Sequence, residues 1–455
     1  MLERVGEYIW EVPRKGNMNV PVRVYASENM ISQDNSIKQA VNSAALPTLQ
    51  KSIFVMPDIH EGYGVPIGCV LGSRIKEGGI ISPGAIGFDI NCGVRVLKSD
   101  LAASSVDISR LARDMQKKVP SGLGKGFKNK ISSGDLEGIM SKGSSFLLEN
   151  GIGEEDDAVL CEEEGCMEGD VRSVSDSAKK RGLDQVGTLG SGNHFLELQV
   201  VKEVVDESVA RVFGIHEGQL LLMIHCGSRG LGHQVASEYM KEALKWSGTD
   251  LPDKELAYMP FNSSGGARYW GAMSCAANFA FANRHAIANN IRKVFPGKLS
   301  MLYDVAHNIA KREVHEEDDL LVHRKGATRS FWKGHKEVSY KYREVGQPVL
   351  VPGSMGTASW IMVGKESSES MSFGSTCHGA GRVMSRGEAK RNIKGEEIRS
   401  QLSKRGVAVL SGSFSGIAEE APEAYKDVES VVDIVSKNGL SGKVARLLPL
   451  AAIKG

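Results

Sequence analysis

The sequence predicts a mixed α+β protein, and three observations carry that prediction. Short apolar runs, such as 53–56, 220–224 and 347–351, have the length of buried strands. Segments with apolar residues at helical spacing lie between them, most plainly over 276–294. The two kinds alternate too irregularly for a βαβ series, which points to mixed sheets with surrounding helices.

Taken in order, the run Ile53 to Met56 ends at Pro57-Asp58-Ile59-His60 and the turn-prone Glu61-Gly62-Tyr63-Gly64. Ile108, Leu111, Met115 and Val119 predict a helix within 105–119. Residues 120–182 are rich in Gly, Ser, Lys and Glu, with acidic residues at 154–157, and read as a helical insertion or flap on the surface, outside the core. Leu220 to Ile224 reads as a buried strand that empties into the loop of His225. Ala276 to Val294 is predicted helical, with Phe279, Ala282, Ala286, Ile287 and Ile291 along one side. Gln347 to Val351 is a strand feeding the loop Pro352-Gly353-Ser354-Met355-Gly356. A last helix spans 424–437, with Val428, Val431, Val432 and Val435 inward and Asn438-Gly439 as its stop signal.

The 455 residues are 41% hydrophobic, enough for a sizeable core, and the 52 glycines cluster in short polar turns of the kind that build sites. A formal charge of +1 offers no global field, so nucleic acid would have to be met by local basic patches. Glu3, Arg4 and Glu7 argue against a signal peptide, and no apolar run approaches the roughly 18 residues of a membrane span. Seven scattered cysteines, without disulfide-like spacing, fit a reducing cytoplasm.

The most informative stretch is Asp89-Ile90-Asn91-Cys92, a carboxylate and a thiol spaced to chelate. His194, His225 and His307 each sit in a small or polar segment beside an apolar run. Oxygen, sulfur and imidazole donors suit Mn, Fe, Co or Zn, and five donors exceed one tetrahedral structural site, so two ions or an open catalytic one are indicated. A buried structural thiol and hydrogen-bonded core histidines are the plainer alternative. Gly227-Ser228-Arg229-Gly230, Gly353-Ser354-Met355-Gly356 and Gly379-Ala380-Gly381-Arg382 could serve as anion-binding nests or as ordinary turns. No Gly-x4-Gly-Lys-Ser/Thr, no complete Gly-x-Gly-x-x-Gly and no Lys-x-Asp-Gly occurs, so a nucleotide-activating nucleophile would not be that lysine. His378 is the candidate instead, since an uncharged imidazole can attack phosphorus and form a labile phosphoramidate. His285 reads as a helix-surface or packing residue, and His216, His315 and His335 as solvated surface groups. His323 to Arg329 reads as a basic turn, either meeting RNA phosphates or simply solvated.

Together these segments closely resemble the RtcB family of RNA ligases. The matching strings include Met56-Pro57-Asp58-Ile59-His60, Gly87 to Arg95, Gly187 to Phe195, His225 to Gly232, Asp304 to Ala310, His323 to Arg329, Gln347 to Ser359 and Ser375 to Arg382. Glu419-Glu420-Ala421-Pro422, Tyr425-Lys426-Asp427-Val428 and Ile453-Lys454-Gly455 close the series, so the likeness runs in one order from about residue 53 to the end. Residues 120–182 and 331–335 match loosely, and Trp360 stands where a tyrosine is expected.

The resemblance implies a GTP-dependent ligase joining an RNA 2′,3′-cyclic phosphate or 3′-phosphate end to a 5′-hydroxyl, with tRNA halves or broken RNA as substrate and an archease-like activator as a candidate partner. It implies two Mn²⁺ ions, one held by Asp89, Cys92 and His194 and one by Cys92, His225 and His307. His378 would carry GMP. The guanylate would be cradled by Asn193, His194, Phe195, Leu196, Glu197, His307, Asn308, Pro352, Gly353, Ser354, Met355, Ser359, His378, Gly379, Ala380, Gly381, Tyr425 and Lys454, with Tyr425 and Lys454 near the base. Arg229 and Arg382 would meet phosphate. Because these positions spread from Asp89 to Lys454, residues 1–455 are expected to form a single catalytic domain. A dinuclear phosphoesterase, or an RNA-binding protein without catalysis, are the competing classes.

Overall fold

A computed structural model describes residues 2–31, 36–122, 126–127, 130–248 and 251–455. Its architecture is α+β. An eight-stranded sheet runs in the order Leu299–Ala306, Gly93–Ala102, Gln219–Cys226, Phe195–Val204, Ser441–Lys454, Ser359–Gly364, Pro348–Val351, with Ala408–Ser411 joining Ser441–Lys454 in parallel. A seven-stranded sheet runs Glu3–Arg4, Ile9–Val12, Val22–Tyr25, Ile53–His60, Ile67–Arg74, Asp318–Lys325, Asn308–His315. The chain steps from one sheet to the other at His307, which separates the strands Leu299–Ala306 and Asn308–His315.

Gln219–Cys226 is buried along its whole length, as its apolar run requires of a central strand. The helix Ser264–Arg292 starts where the Ser263 side chain accepts from Gly266 N–H. It is longer than 276–294 predicts, because its first turns carry small residues in place of a one-sided apolar stripe. Nearly all of it is buried, packed against Gln219–Cys226 and the helices Arg229–Ala243 and Ser133–Lys142. The predicted helix near 105–119 forms as Ile108–Lys118, capped by Asp107 and burying Leu111 and Met115. That near 424–437 begins later, at Val428, because Asp427 caps it and a 3₁₀ turn occupies Pro422–Ala424.

Three expectations need correction. The segment 120–182 is helical in part, but it does not lie outside the core; residues 123–125 and 128–129 are outside the described set. Leu136, Ile139, Met140, Leu147, Met167, Val174 and Ala178 are all buried in one cluster with the long helix. Two of its acidic residues are buried counterions: Asp157 receives two bonds from Arg292, and Glu162 binds Lys311 and the Ala306 N–H, while Glu154 and Glu155 stay exposed. His315 is not solvated; its Nδ1 and Nε2 face Glu369 at 2.7 Å and Glu313 at 2.9 Å from within the protein. His323 to Arg329 is not a basic turn either. It is buried strand, with Arg324 paired to Glu313 and Arg329 to Glu163. Charges satisfied this way have no surface to offer to RNA phosphates. His285, by contrast, is a packing residue whose Nε2 lies 2.9 Å from Ile152 O.

Candidate active site

Strand register gathers the candidate ligands at one end of the eight-stranded sheet. Gly93, which follows Cys92, pairs with Cys226 and with Ala306, which precedes His307. Phe195, which follows His194, pairs with His225 on one side and Lys454 on the other. Residues far apart in sequence are thereby brought side by side.

Asp89 precedes this edge in a tight loop where Asn91 adopts φ 52°, the left-handed region that asparagine tolerates. The Asn91 amide donates to Ala277 O at 2.8 Å, which fixes the loop on the long helix. Asp89 Oδ1 accepts from Ser228 N–H at 3.1 Å, and a Cβ at Gly227 would sit 2.4 Å from the carboxylate. Only glycine admits this approach. His194 Nε2 lies 2.8 Å from Asp89 Oδ2 and 3.4 Å from Cys92 Sγ. His225 Nε2 lies 3.3 Å from Cys92 Sγ and 3.3 Å from His307 Nε2. Two donor triads result, Asp89–Cys92–His194 and Cys92–His225–His307, each within 4.8 Å and both using Cys92.

The electrostatics suit cations. Burial, reinforced by the neighbouring charged groups, holds His225 and His307 well below the usual imidazole range, so both present lone pairs. Burial and the Asp89 charge push the Cys92 thiol up to about 12. Burial opposes charge on His194 too, yet Cys226, Cys92 and Asp89 together raise it well above its ordinary value. Two imidazole nitrogens facing each other and a thiol in a carboxylate's field form a donor set that a divalent ion would relieve. The residues fit two metal ions sharing one thiolate.

Beyond the triads opens a cavity of about 1040 Å³. Its lining includes Asn193, Phe195, His307, Asn308, Pro352 to Met355, His378 to Gly381, Tyr425 and Lys454. Leu196, Glu197 and Ser359 lie behind it: Leu196 is core, and Gln199 Nε2 donates to Glu197 Oε2 at 2.8 Å and Ser359 Oγ at 3.0 Å. Burial raises Glu197 to about 7. Ser359 Oγ also accepts from Gly353 N–H at 3.1 Å, so it shapes the loop that does line the cavity. His194 is in the Asp89–Cys92–His194 triad and does not line the cavity.

His378 follows the strand Ser375–Cys377, whose partner Ala327–Arg329 begins two residues after Lys325. Its Nδ1 is 2.5 Å from Asp58 Oδ2, and the same oxygen accepts the backbone N–H of His378 and Gly379. Asp58 is wholly buried; burial alone would raise it, but the His378 ring holds it below the usual carboxylate range. Gly381, at φ 74°, brings its Cα so near the Asp58 carbonyl that a Cβ would lie 2.2 Å from the oxygen. The His307 and His378 rings are 5.0 Å apart, which joins the metal edge to the cavity.

A family model described as tRNA-splicing ligase RtcB matches residues 39–455, a span that contains every residue of this site. The chain belongs to the RtcB family. It is 48% identical to the tRNA-splicing ligase RtcB of Archaeoglobus fulgidus over all of this chain and 99% of that one. It is 46% identical to the protein of the same description from Thermococcus kodakarensis, with the same coverage. The RNA-splicing ligase RtcB of Mycobacterium bovis is 44% identical over 92% of this chain and all of its own.

Several groups at this site carry no separate signal in the sequence. Asp58 appeared only inside a motif string, and Glu420 only inside another. Glu420 accepts from Tyr425 Oη, stands 3.2 Å from Arg382 Nη1 and 3.5 Å from Lys454 Nζ. Arg382, expected at phosphate, lines the cavity but is already engaged by Glu420 and by the face of Tyr425. Arg229 Nε donates to Thr188 Oγ1 at 3.3 Å and is absent from the cavity lining. Trp360 is buried, its indole N–H donating to Glu429 at 3.0 Å. No helix among the described residues is long and apolar enough to cross a membrane.

Proposed function

We propose that this RtcB-family protein is a GTP-dependent RNA ligase that joins a 2′,3′-cyclic phosphate or 3′-phosphate end to a 5′-hydroxyl end, in tRNA splicing or RNA repair. The observation that carries this reading is the His378 ring, held at Nδ1 by the Asp58 carboxylate, in the wall of a cavity that abuts two donor triads. Family membership supports the ligase class.

Asp89, Cys92 and His194 would hold one Mn²⁺, and Cys92, His225 and His307 a second. Bound there, the ions supply charge neutralisation for phosphate groups. The protein's own contribution is positioning. Asp58 fixes the orientation of His378 and leaves Nε2 as the attacking atom; among the described residues nothing hydrogen-bonds to Nε2. Attack by Nε2 on the α-phosphorus of GTP forms a P–N bond, and pyrophosphate leaves with the electrons of the P–O bond. A 3′-phosphate oxygen of RNA then takes GMP from the ring and restores the free imidazole. The 5′-hydroxyl attacks the RNA phosphorus and GMP departs. A cyclic end is first hydrolysed to the 3′-phosphate. Backbone N–H groups of Met355, Ala380 and Gly381 would meet phosphate oxygens, those of Gly353, Ser354 and Gly379 being taken by Ser359, Thr357 and Asp58, and Tyr425 and Lys454 would meet the base.

The test is incubation with α-labelled GTP and Mn²⁺. Label that is acid-labile and base-stable, and that His378→Ala abolishes, is the expected result. A protein that hydrolyses cyclic phosphate without ever taking label, and does so equally well as His378→Ala, would replace the ligase by a phosphoesterase.

A further inference from the structure

His60 is left over by the chemistry above. It ends the strand Ile53–His60 and lines the same cavity as His378. Its Nδ1 is 2.9 Å from the Asp58 carbonyl oxygen. A carbonyl can only accept, so Nδ1 carries the proton and Nε2 keeps its lone pair. No described residue hydrogen-bonds to Nε2. Asp58 therefore orients two imidazoles at once, His378 through its carboxylate and His60 through its backbone. The two rings lie 6.3 Å apart with planes only 26° from parallel. Lys426 Nζ donates to Pro57 O and Ile59 O, which pins the backbone beside His60. His60 belongs to neither donor triad.

We propose that His60 is the proton acceptor for the 5′-hydroxyl in the sealing step. The role rests on the ligase reading and deepens it. In the activated RNA end, the GMP phosphorus has just left His378, and the RNA phosphorus is one bridging oxygen further on. A base one ring away from His378 stands where the 5′ oxygen must arrive. There the 5′ oxygen forms its bond to the RNA phosphorus and its proton passes to His60 Nε2. The P–O bond to GMP breaks, and GMP leaves with that electron pair. The groups that face His60 are Asp58, His378 and Lys426; burial chiefly, then the balance of these charges, brings it down to about 4 and keeps it neutral. Phosphates entering the cavity bring negative charge, which raises its affinity for the proton as the reaction needs.

The experiment separates the steps in full-length protein. His60→Gln, which can still donate to the Asp58 carbonyl, and His60→Ala are compared with the native chain. The measurements are labelling of His378 by GTP, formation of RNA capped with GMP, and sealing. Both variants are expected to label normally and to accumulate the capped RNA, while sealing falls by about 100-fold. The lower-pH limb of the sealing rate should flatten, and added imidazole should restore part of the rate to His60→Ala. Normal sealing in both variants overturns the proposal. Loss of labelling in both overturns it as well, since His60 would then support His378 and not the 5′-hydroxyl. Native protein that never labels defeats the ligase reading itself, an outcome distinct from either.

Discussion

Arg284 and Asp304 form an ion pair wholly excluded from solvent, with Nη2 2.7 Å from Oδ1 and Nε 3.0 Å from both oxygens. Arg95 Nε approaches the same carboxylate at 2.7 Å. Arg284 Nη1 donates at 2.8 Å to the carbonyls of both Asn91 and Cys226, the neighbours of Cys92 and His225. One guanidinium thus ties the loop that precedes Cys92 to the end of the strand that carries His225. Arg284→Met orphans those carbonyls and breaks a buried pair, so urea unfolding should show a loss of roughly 3–5 kcal/mol. Metal affinity measured by competition with a chelator should fall about 10- to 100-fold, as expected when the support of a ligand is removed. Native-like affinity in the folded variant would detach this pair from the metal edge.

Sharing of Cys92 makes the two triads unequal in their response to mutation. Cys92→Ala removes a donor from both, whereas His307→Ala removes one from the Cys92–His225–His307 group alone. After loading with Mn²⁺ and gel filtration, metal analysis should find close to no retained ion in the first variant and one in the second. Equal retention by the two variants would mean that the thiolate is not shared.

His315 gives a pH signature far from the cavity. Burial opposes its charge, but the Glu313 and Glu369 carboxylates win and raise it from 6.5 to about 9. A group whose folded pKa is raised stabilises fully below its unfolded value and loses that contribution as pH rises through the folded one. The contribution is about 3 kcal/mol, spent between pH 6.5 and 9. Chemical denaturation of the native chain should therefore weaken over that window, and His315→Gln should be less stable at pH 6 yet show a flatter profile. A variant whose profile keeps the native slope would assign the loss to other groups.

The triad residues and His378 were legible as candidates because each sits in a short Gly-rich or polar string beside an apolar run, a local pattern. Their partners were not. Asp58 is 320 residues from His378, and Arg284 lies 193 from Asn91, so no spacing in one sequence links them. Arg284 and Asn283 also occupy a helix buried on all sides, where a polar residue looks from sequence like the solvent face. The same ambiguity attends residues 120–182. Average composition suggested surface, while Leu136, Ile139 and Met140, at helical spacing, marked the buried side. Asp157, Glu162 and Glu163 look solvated in the sequence because their counterions, Arg292, Lys311 and Arg329, are supplied from elsewhere in the chain.

Lys454 places the penultimate residue of the chain in the cavity wall. Its backbone pairs with Phe195, its Nζ donates to Gly192 O at 3.1 Å, and the ammonium lies 5.5 Å from the Phe195 ring centroid. Burial lowers its pKa, while Glu420, which lines the cavity, and Glu197, which lies behind it, pull the other way. Lys454→Met keeps the length of the side chain and the strand pairing but removes the charge and its donors. A hydrogen bond from a charged group is worth about 1.5–3 kcal/mol, so half-saturation of His378 labelling should require about 10- to 100-fold more GTP. The rate at saturation should change little, because Lys454 is remote from the reacting phosphorus in this assignment. Deleting Lys454 and Gly455 should give the same shift, with a melting temperature close to native, since the strand Ser441–Lys454 keeps its remaining pairs. If the GTP dependence of labelling is unchanged in both, Lys454 contacts no nucleotide, and the Glu420–Tyr425–Lys454 cluster serves only to close the end of the sheet.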